Sequence, residues 1–135
     1  MTDHRILSQK NKYYVPKETF LTVVHYCKQY PSWEAELKAM TDTSRAITYD
    51  HDRVQSSGNS DPTARLAMRR AEISRKIDMI DETAKEVSGT LWKWLILGVC
   101  YDNPYYYLHQ HGIPCGKDLY YNLRRKFYYE MSKRI

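Results

Sequence analysis

The chain has 135 residues, of which 42% are hydrophobic and 27% charged, with only five glycines and five prolines. This composition is ordinary for a globular domain, and the low Gly and Pro content argues against a turn-rich β fold and for helices. The formal net charge is +5, and Gly116–Ile135 holds six Lys or Arg against two acidic residues. A cationic end of this kind points to a polyanionic partner.

The sequence lacks the features that are typical of membrane and secreted proteins. The longest apolar stretch, Trp94–Val99, is far too short to span a bilayer. The first residues show no hydrophobic segment followed by a small-residue cleavage site. Three scattered cysteines, an odd number, suit reduced and buried thiols better than disulfides: Cys27, Cys100 and Cys115. We therefore expect a cytoplasmic protein that does not contact a membrane.

An N-terminal helical hairpin is predicted in residues 1–40. The segment Val15–Glu18 is typical of a helix start, because Pro16 suits the first helical position and an acid follows it. The pair Tyr30 and Pro31 breaks the apolar pattern of this first helix. Ser32 can cap a second, short helix, which carries Trp33, Leu37 and Met40.

Residues 41–60 are predicted to be a flexible polar linker, because apolar periodicity fails there. A long central helix then begins with Asp61 as N-cap and Pro62 as first residue, and continues to about Val87. Its apolar residues follow a coiled-coil seam: Ile73, Ile77, Ile80, Ala84 and Val87. Two alternatives remain open at this point. The helix packs antiparallel on the N-terminal hairpin, or the seam joins two copies in a homodimer.

A helix-turn-helix domain is predicted at the end of the chain, so that residues 61–135 form one domain with the long helix. Thr90 can cap a helix to about Tyr101. Pro104–His111 suits a short helix that ends at Gly112, a residue suited to a left-handed cap. Ile113 can then fill the angle before the last helix. The fold class predicted for the whole chain is all-α.

The last helix has the two faces that DNA recognition requires. Apolar residues recur every four positions and predict an inward side, made of Leu119, Leu123, Phe127 and Met131, with Tyr120 beside them. The other side carries cations and hydrogen-bonding groups. We predict that bases are contacted by Lys117, Tyr121, Asn122 and Arg125, and phosphates by Arg124, Lys126, Lys133 and Arg134. The alternative is that these cations only complement the helix dipole and keep the surface hydrated.

Three segments together resemble a known family. They are YYVPKETF near the start, SDPTARLAMRRAEISRKIDMIDETA after the polar linker, and IPCGKDLYYNLRRKFYYEMSKRI at the end. The sequence in these segments resembles the RinA/ArpU-type late-transcription regulators of phages and prophages of Gram-positive bacteria.

The resemblance implies an activator of late phage genes in the bacterial host cell. It would bind double-stranded promoter DNA through a helix-turn-helix like that of sigma-factor region 4. Whether host RNA polymerase is a second partner stays open.

The sequence also bears on other classes of function. His109, His111 and Cys115 lack the spacing of metal ligands, and no nucleotide-binding or nucleophile motif occurs, so we expect no enzyme, cofactor or metal site. The thirteen tyrosines suit packing better than a platform for single-stranded bases. Two alternatives remain, a helical protein-interaction module that binds or inhibits a host protein, and a packaging subunit similar to small terminases.

Overall fold

The computed structural model describes the backbone of residues 7–50 and 61–135, and their side chains except those of residues 43–50. All regular structure in these ranges is helical, which confirms the predicted all-α class. The described ranges contain six α-helices and one 3₁₀ turn at Gly89–Leu91. The helices are α1 (Lys17–Lys28), α2 (Tyr30–Asp50), α3 (Pro62–Ser88), α4 (Trp92–Val99), α5 (Tyr105–Gln110) and α6 (Lys117–Ser132).

The chain divides into two compact units. The first contains the described residues up to Pro31 together with Met79–Ile135, and the second is Ser32–Asp78. The chain therefore changes unit inside α2 and again inside α3. A boundary inside a continuous helix leaves no shift in composition for sequence reasoning to detect.

The first unit is built around α4, α6 and α1. Helix α1 packs against α6 and α4, and α4 also packs against α5. The core residues of α1 are Phe20, Val23, Val24 and Cys27, as its apolar periodicity predicts. Phe20 meets the ring of Tyr128 edge-on, with centroids 5.1 Å apart. These contacts place the N-terminal part of the chain against the basic helix α6.

Helix α2 extends ten residues beyond its predicted end, from Met40 to Asp50. The predicted break between the two N-terminal helices lies at Gln29, and Tyr30 and Pro31 form the first turn of α2. The sequence has no Gly or Pro between Pro31 and Gly58, and adding residues to an existing helix costs little. The prediction of an irregular linker is therefore wrong for residues 41–50, while residues 51–60 lie outside the described part of the chain.

Helix α3 begins as predicted. The backbone N–H of Thr63 donates to the carboxylate of Asp61 at 3.0 Å, which confirms Asp61 as N-cap. The five residues of the supposed dimer seam are all buried within the single chain: Ile73, Ile77, Ile80, Ala84 and Val87. Because these side chains are buried within one copy, the structure does not support them as a dimer seam, and the possible homodimer stays a prediction.

Within the second unit, α2 and α3 run antiparallel. Glu36 receives two hydrogen bonds from Arg69, at 3.0 and 3.2 Å, and Thr41 accepts one from Arg70 at 3.2 Å. Arg69 also donates to Glu72. A hydrogen bond with Lys76 and the nearby charges lower the pKa of Glu72 from its usual value. These pairs support the antiparallel alternative for the long helix.

The connection from α3 to α4 differs from the prediction that Thr90 caps a helix. Gly89 has a φ of +57°, which ends α3, and Thr90 lies within the 3₁₀ turn with no side-chain cap. A glycine in the left-handed conformation commonly ends a helix, because it carries no Cβ that would strain there. No helix in the described ranges has the length and apolarity to cross a bilayer.

Candidate nucleic-acid interface

The turn between α5 and α6 is closed by a glycine cap. Gly112 has a φ of +92°. Its N–H donates to the carbonyl of His109 at 3.1 Å, and the N–H of Ile113 donates to that of Leu108 at 3.0 Å. These two bonds form a Schellman motif, and the Ile113 side chain is buried beneath it. The predicted glycine cap and the predicted packing role of Ile113 are both confirmed.

The rest of the turn is held by Tyr105 at the start of α5. Its hydroxyl donates to the carbonyl of Cys115 at 2.7 Å, and its ring lies 5.7 Å from that of Tyr120 in α6. Residues 111–116 therefore form a fixed connection, although six residues make it long for a helix-turn-helix. The turn therefore sets the direction in which α6 runs.

The buried face of α6 differs from the predicted one. Its core residues are Tyr120, Arg124, Phe127, Tyr128 and Met131, whereas Leu119 is 49% exposed and Leu123 is half-buried. An α-helix has 3.6 residues per turn, so residues spaced four apart do not stay on one face but move gradually around the helix. The line from Leu119 to Met131 therefore begins in solvent and ends in the core. Leu119 is therefore part of the exposed surface, and its prediction as a core residue from the four-residue pattern is wrong.

The four residues predicted to contact bases lie on the first half of α6. Lys117 and Asn122 are exposed, while Tyr121 and Arg125 are half-buried. Arg125 donates to the side-chain oxygen of Asn122 at 3.1 Å. Arginine pairs well with guanine and asparagine with adenine, so two side chains of the types that bind bases lie side by side here.

Two of the four residues predicted to contact phosphates make contacts within the protein. Arg124 is buried, with its guanidinium 4.7 Å from the ring centroid of Tyr121. It lies on the same side of α6 as Phe127, and its aliphatic stem is suited to burial there. Arg134 donates to the hydroxyl of Thr83 at 2.6 Å and pairs with Glu86. Arg124 is therefore not available to a phosphate in this structure, whereas Arg134 is exposed and its phosphate contact stays a prediction.

The other two phosphate candidates remain at the surface. Lys133 is exposed, pairs with Glu130 at 3.5 Å and lies 4.2 Å from the ring centroid of Tyr129. Lys126 is half-buried. An exposed ion pair of this kind contributes little to stability, so DNA could replace Glu130 as the partner of Lys133 at small cost.

A cavity of about 250 Å³ lies between α6, α1 and the segment that precedes α1. Tyr13 in that segment lies with its ring 5.7 Å from the ring of Tyr129. Sequence reasoning missed this cavity, because no local pattern indicates that residues near position 10 meet a helix near position 120. The residues around it are Leu7, Tyr13, Val15, Phe20, Lys117, Tyr121, Arg124, Arg125 and Tyr128.

Comparisons with protein-family models, with characterised proteins and with solved structures give no match for this chain.

Proposed function

We propose that this chain is a sequence-specific regulator of transcription that binds double-stranded DNA through α5, its capped turn and α6. The observation that carries the proposal is the hydrogen bond of Arg125 to Asn122 on the first half of a cationic helix. Base recognition needs side chains that are both exposed to the groove and held in one geometry. The exposed Asn122 and the half-buried Arg125 meet that requirement together.

The cations divide between base contact and electrostatic docking. Lys117, Lys126 and Lys133 remain at or near the surface of α6 and would meet phosphates or base edges. Such contacts supply affinity and orientation, while the Asn122 and Arg125 pair supplies sequence choice. The exposed Leu119 could add an apolar contact to a thymine methyl. The proposed role as activator of late phage genes rests on the resemblance of the three sequence segments.

The proposal is tested by selecting a binding site from a random duplex library and measuring affinity by fluorescence anisotropy. The selected duplex should bind far more tightly than a scrambled one. Asn122→Ala should lose about 1 to 3 kcal/mol on the selected duplex. Lys38→Ala, which removes an exposed charge in the second unit, is the matched control and should bind normally.

Two outcomes would count against DNA recognition. Equal affinity for selected and scrambled duplexes would leave only electrostatic binding. No binding to any duplex at low salt would favour the alternative of a protein-interaction module. If the affinities for the two duplexes are equal, Asn122→Ala should also bind with unchanged affinity. The duplex comparison and the Asn122→Ala measurement should therefore agree in supporting or overturning the proposal.

A further inference from the structure

The cavity between residues 7–16, α1 and α6 has features of a ligand site in its own right. Its volume is about 250 Å³. An apolar cavity of about 150 Å³ accepts benzene, and drug-sized ligands need pockets of roughly 300 Å³ or more. This cavity therefore fits one aromatic ring with a small substituent, and it is too small for a nucleotide.

The charge around the cavity selects for an anion. Three cations line it, Lys117, Arg124 and Arg125, and no acidic side chain does so among the described residues. Lys117 forms no ion pair within the described ranges. A carboxylate or phosphate in the cavity would receive charge-assisted hydrogen bonds from these groups, which are the strong kind.

The walls of the cavity select for a ring. Four aromatic side chains surround it, Tyr13, Phe20, Tyr121 and Tyr128. Phe20 and Tyr128 are buried, so the inner end is shielded from water. Aromatic rings favour offset or edge contacts with another ring, and exclusion of water strengthens the ion pairs beside it.

From this combination we propose that the cavity binds a small monocyclic aromatic anion, a carboxylate or phosphate ester attached to a single ring. The ring would lie among the aromatic walls and the anionic group against Lys117 and Arg125. Three residues of the cavity are also proposed base contacts, Lys117, Tyr121 and Arg125. The bound anion would therefore compete with DNA, and this second step rests on the proposed function.

Calorimetry on the full chain tests the binding step with probes that separate ring from charge. Benzoate and phenyl phosphate carry both features, benzyl alcohol only the ring, and acetate and inorganic phosphate only the charge. We expect the two combined probes to bind at least about tenfold more tightly than any single-feature probe. Equal binding of acetate and benzoate, or no binding of either combined probe at millimolar concentration, would overturn the proposal.

Variants locate the binding on the chain. Lys117→Gln changes an exposed side chain and should preserve the fold, and it should weaken phenyl phosphate by about tenfold. Arg125→Gln should do the same, and Tyr13→Ala should weaken the combined probes more than inorganic phosphate. Lys38→Gln, in the second unit, should leave binding unchanged. Unaltered binding in both Lys117→Gln and Arg125→Gln would place the anion elsewhere and refute this site.

The competition step has its own readout. Saturating phenyl phosphate should lower the affinity of the selected duplex, and the duplex should lower that of phenyl phosphate by the same factor, because linkage is reciprocal. Independent binding of both would overturn the competition and leave the cavity site intact. If no duplex binds at all, the proposed function fails, while the calorimetry still decides the ligand site.

Discussion

Tyr120 of α6 packs against Gly98 of α4 so closely that a Cβ at position 98 would force neighbouring atoms to move. A Cβ there would lie 3.0 Å from the Tyr120 ring carbon Cζ and 3.2 Å from Leu108, and the hydroxyl would be nearer still. Glycine at this position is therefore required by the packing of α4 against α6. The orientation of the basic helix depends on this contact, because α4 packs against both α5 and α6.

Gly98→Ala should lower the free energy of unfolding by about 1 to 3 kcal/mol, since the added carbon forces α4 and α6 apart. Chemical denaturation measures the change. Gly116→Ala is the control, because a Cβ at position 116 would meet nothing within 4 Å and its φ is −78°. In a Tyr120→Phe background the same alanine should cost less, since the clashing hydroxyl is gone. An equal cost in both backgrounds would contradict this account.

The hydroxyl of Tyr120 is buried without a hydrogen-bond partner among the described residues. Tyr120→Phe should therefore raise the free energy of unfolding by about 1 to 2 kcal/mol, because an unsatisfied buried polar group is costly. Tyr30→Phe is the matched comparison. The Tyr30 hydroxyl donates to the Asp81 carboxylate at 2.8 Å, so its loss should destabilise by about 1 to 2 kcal/mol. A similar loss of the free energy of unfolding in both variants would mean that the Tyr120 hydroxyl has a hydrogen-bond partner.

Alkaline pH should destabilise the fold through the same side chain. Burial raises the pKa of Tyr120 from 10.0 to about 12. The folded state thus favours the protonated phenol, so its full stability is present below pH 10 and is lost as pH rises towards 12. The loss is on the order of 2 kcal/mol. Tyr120→Phe should remove the loss of stability that Tyr120 causes at alkaline pH. The loss caused by buried Tyr128, whose pKa is also raised, should remain. Denaturation below and above pH 10 tests both.

The predictions that succeeded rest on short-range geometry. Asp61 caps α3 because its carboxylate reaches an N–H two residues on, and Gly112 ends α5 because it can adopt a positive φ. Each effect is contained within one turn of chain, so the local sequence is sufficient to predict it. The length of α2 was missed, because residues 41–50 lack both an apolar rhythm and a residue that stops a helix.

The candidate site was only partly predictable, since its burial depends on distant segments. The position of α6 in the chain and its charge could be inferred from the sequence. Which of its cations stay free could not be inferred, because Arg134 pairs with Glu86 and Thr83, 48 and 51 residues earlier. Likewise, residues 7–16 enclose Tyr121 and Arg125 in a cavity, and no periodicity in α6 signals that contact.

Arg134→Ala should weaken the fold and spare DNA. The Thr83 hydroxyl is fully buried, donates to the Met79 carbonyl at 2.7 Å and accepts from Arg134. Loss of that donor should cost about 1 to 2 kcal/mol in unfolding. Affinity for the selected duplex should stay within about twofold, whereas Asn122→Ala should show the reverse pattern. A large loss of DNA affinity in a folded Arg134→Ala protein would restore this residue to the interface.

The salt dependence of DNA binding counts the cations that reach phosphates. Without the buried Arg124 and without Arg134, which pairs with Glu86, the predicted set holds four basic side chains, Lys117, Arg125, Lys126 and Lys133. With a slope of about −0.9 per phosphate, four contacts reduce affinity roughly 10²-fold between 50 and 200 mM salt, for each copy bound. Six contacts, with Arg124 and Arg134 included, would give roughly 10³-fold. Anisotropy titrations at several salt concentrations, with stoichiometry fixed in the same experiment, distinguish the two. A slope that matches six contacts would mean that Arg124 leaves the core or Arg134 leaves Glu86 when DNA binds.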